Sequence, residues 1–405
     1  MSYTDTEVLQ FVRENDVKFI RLAFCDIYGT LKNIAIMAEE LPRAFEYGLA
    51  FNAGMVRGFS SATHDDMVLH PDASTLEVLP WRPQTGRVAR FYCDITYPDG
   101  TPFEQDGRQI LRQALSAAQE RGITARIAAK SEFYLFRLDE NGDPTAIPHD
   151  NAGFLDVAPH DRGENVRRDI CLNLEQMGIR PMSSHHEMGP GQNEIAIAPE
   201  EPMVAADHCV TFRNLVGTIA ARNGLYADMG PKPMPEHEGS GFHLSLNVVK
   251  DGRPLFAPVD GQLTQPAQSF IAGILHHMPE MTLFLNSTPA SYARLGNPDA
   301  PKAVAWSQRG RTQIVRVPLP QGDNARVELR SPDNLCNPYV VYALTLLAGM
   351  DGMERGLALP PADAPTGDAL PDSMQHAAEL AAASSFLKKV LPAQTLHAYL
   401  TRSPN

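Results

Sequence analysis

The chain has 405 residues, 43% hydrophobic and 20% charged, with a formal net charge of −13 from 35 basic and 48 acidic side chains. That length holds two or three domains, or one large core with a smaller partner, in a globular protein of ordinary composition. The acidic balance, with no basic stripe, argues against nucleic acid as a partner and requires local arginines and metal wherever a phosphate is to bind. No apolar run is long enough to span a bilayer, so no membrane partner is expected. The N-terminus, Met-Ser-Tyr-Thr-Asp-Thr-Glu, lacks the charged and apolar regions of a signal peptide. Five scattered cysteines (Cys25, Cys93, Cys171, Cys209, Cys336) without a CxxC pair read as free thiols in a reducing compartment, and the expected location is cytoplasmic.

In chain order, the pattern predicts a short helix over 7–15, a strand over 17–24, a turn at 26–29 and a second strand over 31–37, which together make a hairpin. Residues 51–75 are loop-rich, 88–95 reads as a strand, and Pro98-Asp99-Gly100 marks a turn within 96–103. Residues 1–100 therefore read as a small β-rich domain and 101–405 as a large α+β domain. In the latter, helices are expected at 107–121, 164–178, 203–224, 263–285, 338–356 and 373–389. Strands are expected at 132–138, 193–198, 242–249, 312–317 and 326–330, and 357–371 reads as an exposed loop. There is no regular βαβ rhythm, so one large, mainly antiparallel sheet is the expected frame.

Carboxylates sit inside these strands. Glu132 opens Glu-Phe-Tyr-Leu-Phe, Glu194 opens Glu-Ile-Ala-Ile-Ala, and Glu328 lies inside Arg-Val-Glu-Leu-Arg. A carboxylate in a half-buried strand is costly unless a cation or strong donors compensate it. In the segment from His185 to Glu194, a Gly-Pro-Gly turn can fold Glu187 and Glu194 back toward a common point. Hard oxygen ligands of this kind suit Mg²⁺ or Mn²⁺, although a polar surface loop explains the segment alone equally well. Glu238-Gly239-Ser240-Gly241-Phe242-His243 leads into a strand, and its glycines allow close backbone approach to a ligand. His243 there reads either as a ligand or as a satisfied core residue. Arg294, Arg309, Arg311, Arg316, Arg326 and Arg330 cluster in one stretch, and arginine forks suit carboxylate and phosphate oxygens. Lys130 does not fit this picture. It precedes Glu132 by two residues and so shares its strand face.

Taken in order, these segments resemble glutamine synthetase of the bacterial type over nearly the whole chain. Asp65-Asp66-Met67-Val68-Leu69 with Pro71-Asp72 resembles its N-terminal signature, and Glu132-Phe133-Tyr134-Leu135-Phe136 its metal strand. Glu187 to Glu194 resembles its glutamate and metal loop, and Gly239 to His243 its ATP and glutamate segment. Asn286 to Leu295 and Arg326 to Pro338 complete the series. The resemblance implies a small N-terminal β-grasp-like domain and a large C-terminal glutamine synthetase/guanido kinase-like catalytic domain. It also implies self-association into hexameric rings, usually stacked as dodecamers, with sites between neighbours. The implied chemistry uses ATP to turn a glutamate-like acid into an acyl phosphate, which an amine then attacks, with two metals and arginines meeting the phosphoryl charge.

By position, the first metal falls to Glu132, Glu187 and Glu194, and the second to His243 and Glu328, with Lys130 where the family has a third ligand. Arg294, Arg330, Gly239 and Glu238 fall near the acid, and Asn52 and Phe154 near the amine. Arg311, Arg316, Arg326, Lys130 and Ser245 fall near ATP, and Arg311, Asp66 and Glu187 take catalytic positions. Four departures follow. Lys130 repels a second metal or pairs with Glu328. Asn52 and Phe154 replace an aspartate and a tyrosine that serve ammonium, which leaves a site more tolerant of a neutral or larger amine. Glu238 replaces an asparagine. The flap carboxylate is missing or replaced by Asp299. The chain also stops before the terminal helical extension that locks rings together, and the tyrosine adenylylated in some members has no counterpart in 357–375. Three readings result: a ligase using an amine other than ammonia, an ordinary glutamine synthetase, or a catalytically weakened ligand-binding or regulatory homologue.

Overall fold

Two sheets organise the chain in a computed structural model that describes residues 4–59, 66–297, 300–301, 303–318, 324–367 and 369–402. The first contains β1 (Val17–Cys25), β2 (Leu31–Met37), β3 (Leu49–Asn52), β4 (Asp66–Pro71), β5 (Glu77–Val78) and β6 (Arg87–Thr96), in the order β2-β1-β6-β4-β3 with β5 also on β6. β1 and β6 run parallel and the other pairs antiparallel. Helix α1 (Asp5–Glu14) starts at a capping box between Thr4 and Glu7 and buries Val8 and Val12. Helix α2 (Leu41–Tyr47) sets Phe45 edge-on against Phe91 of β6.

The second sheet has ten strands among the described residues. They are β7 (Ile123–Leu138), β8 (Pro144–Pro148), β9 (Pro181–His186), β10 (Gln192–Glu200), β11 (Leu225–Asp228), β12 (Phe242–Lys250), β13 (Arg253–Pro254), β14 (Ala303–Ser307), β15 (Gln313–Arg316) and β16 (Val327–Leu329). The path is β14-β15-β16-β12-β7-β10-β9, and only β14 and β15 pair in parallel. Central β7 buries Ile127, Ala129, Ser131 and Phe133, while Ala128, Lys130 and Glu132 look out from the other face. One strand thus serves the core with its odd positions and the site with its even ones.

The remaining helices are α3 (Gly107–Gln119), α4 (Glu164–Gln176), α5 (Pro202–Arg222), α6 (Gln265–Leu285), α7 (Pro289–Arg294), α8 (Pro338–Glu354), α9 (Met374–Ala383), α10 (Ser385–Val390) and α11 (Ala393–Leu400). Helix α8 is buried around nearly its whole circumference against α6 and α3, which marks it as a core helix. Buried polar contacts tie the two sheets together. Arg108 reaches Asp72 (2.5 Å), Asp94 (2.9 Å) and Asp207 (2.5 Å), and the side chains of Asn337 and Tyr399 both donate to the Ile27 carbonyl at 3.0 Å.

The expected α+β class and large sheet are present. The expected single helix over 373–389 is two helices, because Ser384 ends α9 and caps α10 through Leu387 N–H at 2.9 Å. Strands β3, β4, β5, β8, β9, β11, β13 and β14 and helices α2, α7 and α11 were not anticipated, and β4 lies within the stretch 51–75 expected to be loop-rich. No described helix is long and apolar enough to cross a membrane, and the five cysteines are free.

Candidate active site

The register of the large sheet builds the floor of the site. Glu194 of β10 lies opposite Glu132 of β7, and His243 of β12 lies opposite Lys130. On the next row, Glu328 of β16 lies opposite Ser245 of β12 and Arg316 of β15. Above this floor a cavity of about 330 Å³ gathers five carboxylates (Glu132, Glu187, Glu194, Glu238, Glu328) and five cationic side chains (Lys130, Arg294, Arg311, Arg316, Arg330), with His243, Gly239 and Phe154. The charges balance before any ion binds, so one divalent cation leaves the cavity positive, as a triphosphate requires.

Glu132 lies in the cavity lining. Its Oε2 accepts Gly241 N–H at 2.7 Å, and its Oε1 lies 3.8 Å from His243 Nδ1. Burial, then the nearby carboxylates of Glu187 and Glu194, push its pKa up to about 7. Burial, then the charges of Arg330, Arg294, Lys130 and Arg311, hold His243 well below the usual histidine value and hence neutral. Ligand atoms of Glu132, Glu194 and His243 lie within 4.8 Å of one another, as do those of His185, Glu187 and Glu194. A neutral imidazole beside carboxylates that repel one another is a donor set that fits a divalent cation.

The partners of Glu328 are arginines. Glu328 accepts from Arg316 Nη1 at its Oε2 and from Arg326 Nη2 at its Oε1, both at 3.1 Å. Lys130 does not pair with Glu328. Its Nζ lies 3.3 Å from Glu194 Oε1, on the other side of β7. The reason is strand order: β10 is the immediate neighbour of β7, whereas Glu328 lies beyond β12 and is already held by two arginines. Cavity-facing groups bring Glu132 together with His243, and Glu187 with His185, and Glu194 belongs to both.

The arginines differ in how they are held. Arg294 is buried and donates to the carbonyls of Ser331 (2.8 Å), Pro332 (3.1 Å) and Arg330 (3.1 Å). Arg330 Nε donates to the Arg311 carbonyl at 2.8 Å and so braces the loop carrying Arg311. Arg316 Nε is buried without a partner among the described residues. Gly239 packs against Arg294, and a Cβ there would lie 2.7 Å from Arg294 Cγ and 2.6 Å from the Pro231 carbonyl.

The β9–β10 hairpin carries Glu187, which bonds His185 Nε2 at 2.9 Å. Beneath it His186 is fully buried, with Nδ1 at 2.7 Å from the Glu187 carbonyl and Nε2 at 2.9 Å from Asp150 Oδ1. Both partners only accept, so both ring nitrogens carry protons and the imidazolium pairs with the Asp150 carboxylate. Sequence reasoning assigned no role to His185, Gln192 or Asp150. His185 was detectable, since it precedes Glu187 by one strand period. Asp150 carried no local signal.

Several expected site residues lie elsewhere. Asn52 and Asp66 face each other across β3 and β4, exposed and outside the cavity lining. Ser245 and Arg326 also stay outside the lining, and Arg326 acts on the cavity only through Glu328. Asp65, Pro298, Asp299 and the terminal residues 403–405 lie outside the described residues.

Residues 16–98 match the family model described as the glutamine synthetase beta-Grasp domain, and residues 104–403 that of the glutamine synthetase catalytic domain. The chain is 44% identical over 364 residues to a glutamine synthetase of Clostridium saccharobutylicum, covering 89% of this chain and 82% of that one. It is 42% identical over 355 residues to that of Methanosarcina mazei, covering 87% and 79%. A solved structure titled "GmaS/ADP complex" superposes with a TM-score of 0.88 at 26% identity, covering 99% of this chain and 94% of that one. The Plasmodium falciparum glutamine synthetase, at 19% identity and a TM-score of 0.87 over 99% and 95% of the two chains, shares the fold.

Proposed function

The chain belongs to the glutamine synthetase family of ATP-dependent ligases, and from that premise we propose that it activates a glutamate-type carboxylate with ATP and joins it to an amine other than ammonia. The observation that carries this reading is one cavity holding Glu132, Glu187, Glu194 and His243 beside Arg294 and Arg330, with the hydroxyl-free ring of Phe154 against His185. The aspartate and phenol expected around an ammonium ion are replaced by Asn52 and Phe154.

In this mechanism Arg330 pairs with the acid, while Arg294, whose guanidinium is spent on backbone carbonyls, shapes the wall that receives it. An oxygen of the side-chain carboxylate bonds to the terminal phosphorus of ATP, the bond from that phosphorus to the bridging oxygen breaks, and ADP leaves with the electron pair. Arg311 and Arg316, both in the cavity lining, meet the phosphate oxygens. The amine lone pair then forms the C–N bond, the C–O bond to phosphate breaks, and phosphate departs. The nitrogen's protons pass by way of Glu187 to solvent. A divalent ion, Mg²⁺ or Mn²⁺, held by Glu132, Glu194 and His243 would supply charge against the phosphates. Lys130, 3.3 Å from Glu194, adds a fixed cation beside the ligands of that ion.

Asn52 and Asp66 serve the cavity of a neighbouring copy in this reading, because in their own chain they stand apart from it. In this reading the site lies between subunits of a ring. The hold of Lys130 on Glu194 favours one competing reading, a weakened ligand-binding homologue.

The test is ATP turnover with glutamate and Mg²⁺ or Mn²⁺ across ammonia and primary amines, with products identified by mass. Amide formed with another amine far better than with ammonia is expected. Glutamine at ordinary rates would mark a glutamine synthetase that tolerates Lys130, and absence of ADP and amide from folded protein would mark the weakened homologue.

A further inference from the structure

One side of the cavity is unused by the chemistry above. Phe154, Leu155 and Met188 line it and are 50%, 57% and 47% exposed. An acid, a triphosphate and a divalent ion need charged and polar partners, and none of them calls for three apolar side chains at the cavity edge. The backbone holds this wall in place deliberately. Leu155 has φ of 61°, a left-handed conformation unfavourable for a side chain of that size. Its N–H donates to the His186 carbonyl at 3.0 Å, and Asp156 closes the turn by accepting Gly153 N–H at 2.8 Å and donating its own N–H to the Gly153 carbonyl at 3.1 Å.

The wall also lies where the third reactant must enter. The Phe154 ring meets His185 edge-on at 5.6 Å, and His185 bonds the Glu187 carboxylate at 2.9 Å. A nitrogen placed at Glu187 would have Phe154, Leu155 and Met188 of the same cavity beside it for its substituent. We propose that the amine substrate is a primary alkylamine or arylalkylamine whose apolar body packs on this wall. This rests on the ligase reading above and narrows it to a substrate class. A second ammonium or a hydroxyl at the far end of the amine would lose its water against these side chains, so diamines and amino alcohols are disfavoured.

The experiment uses the full-length protein with saturating ATP, glutamate and Mn²⁺. Amide formation is measured for ammonia, methylamine, ethylamine, butylamine, benzylamine and putrescine. The expected kcat/KM rises about fourfold for each methylene that reaches the wall and falls for putrescine. Phe154→Ser flattens the series, Phe154→Leu restores it, and the KM for ATP stays unchanged in both. Ammonia and methylamine used as well as benzylamine would overturn the proposal. So would a Phe154→Ser effect confined to the KM for ATP, which would assign the wall to the adenine ring. A change in assembly size with an unaltered amine series would assign it to a subunit contact and overturn it equally. If no amide forms from any amine, the ligase reading falls, and calorimetric titration of benzylamine and methylamine into the ADP-loaded protein decides the wall separately. Tighter binding of benzylamine that Phe154→Ser abolishes sustains an apolar-amine site, and equal binding removes it.

Discussion

At the scale of single residues, Lys130 sets the electrostatic character of the site. Its ammonium takes one oxygen of Glu194, a side chain only 5% exposed and shared by the two metal-competent groups that face the cavity. Lys130→Glu releases Glu194 and adds a donor opposite His243. Mn²⁺ binding should tighten by about tenfold or more in isothermal titration, in line with the effect of altering partners around a metal ligand. A second equivalent should bind only weakly, because Glu328 stays held by Arg316 and Arg326. Unchanged affinity would show that the Lys130–Glu194 contact is not formed in solution. Gly239 is the other sensitive position. A methyl group there meets both Arg294 and the Pro231 carbonyl, so Gly239→Ala must displace the wall that receives the acid. Steady-state kinetics should show the KM for the acid rising about tenfold or more, as misplacement near 1 Å costs on this scale, with the melting temperature nearly unchanged.

At the scale of elements, the β9–β10 hairpin and helix α5 show how buried charge is handled. His186 joins the Glu187 carbonyl to Asp150, and Asp150 also accepts from the backbone of Arg162 and Gly191. Although burial opposes ionisation, these donors hold the Asp150 carboxyl far below its usual range, so an ion pair adds to the apolar packing that Ile195 and Ile197 give the hairpin. On α5, His208 is treated the opposite way. Burial, with Arg90 adding to it and Glu200 opposing, lowers its pKa to about 4. The unfolded chain takes up a proton near pH 6.5 and the folded chain only near 4, so stability present above pH 6.5 is lost as pH falls toward 4. Urea denaturation across that range should show the loss, and His208→Gln should make it shallower. An identical pH slope in the variant would place the acid sensitivity elsewhere.

At the scale of the whole molecule, two features join the parts. Arg108 is buried and pairs with Asp72 and Asp94 of the small sheet region and with Asp207 of α5. Arg108→Met would strand these carboxylates, and breaking such a pair costs about 3–5 kcal/mol. Chemical denaturation should register that loss or a separate early transition of the N-terminal sheet. The second feature is the distance of Asn52 and Asp66 from their own cavity. If a neighbouring copy uses them, a variant altered at Asp66 and a variant altered at Glu187 should each be inactive alone and regain part of the activity when co-assembled. Activity that never exceeds the separate variants, in confirmed mixed assemblies, would show that each chain works on its own cavity.

Period-two alternation along β7 was enough to place Lys130 and Glu132 on one face, and the turn at 189–191 was enough to bring Glu187 back toward Glu194. Both are local properties, dictated by backbone geometry within about ten residues, and so the sequence by itself determined them. It also determined the α+β class and the concentration of arginines near the strand carboxylates. The neighbour of Lys130 was a different matter. Whether its ammonium meets Glu194 or Glu328 depends on which strands flank β7, and pairing between segments more than sixty residues apart has no local signature. Strand β9, Pro-Met-Ser-Ser-His-His, escaped notice because an edge strand with weak propensity gains its conformation from β10. Asp150 and the left-handed turn at Leu155 likewise acquire meaning only beside His186. The tertiary structure alone decided these, because each is a contact between distant segments whose free energy exists only once the sheet has formed.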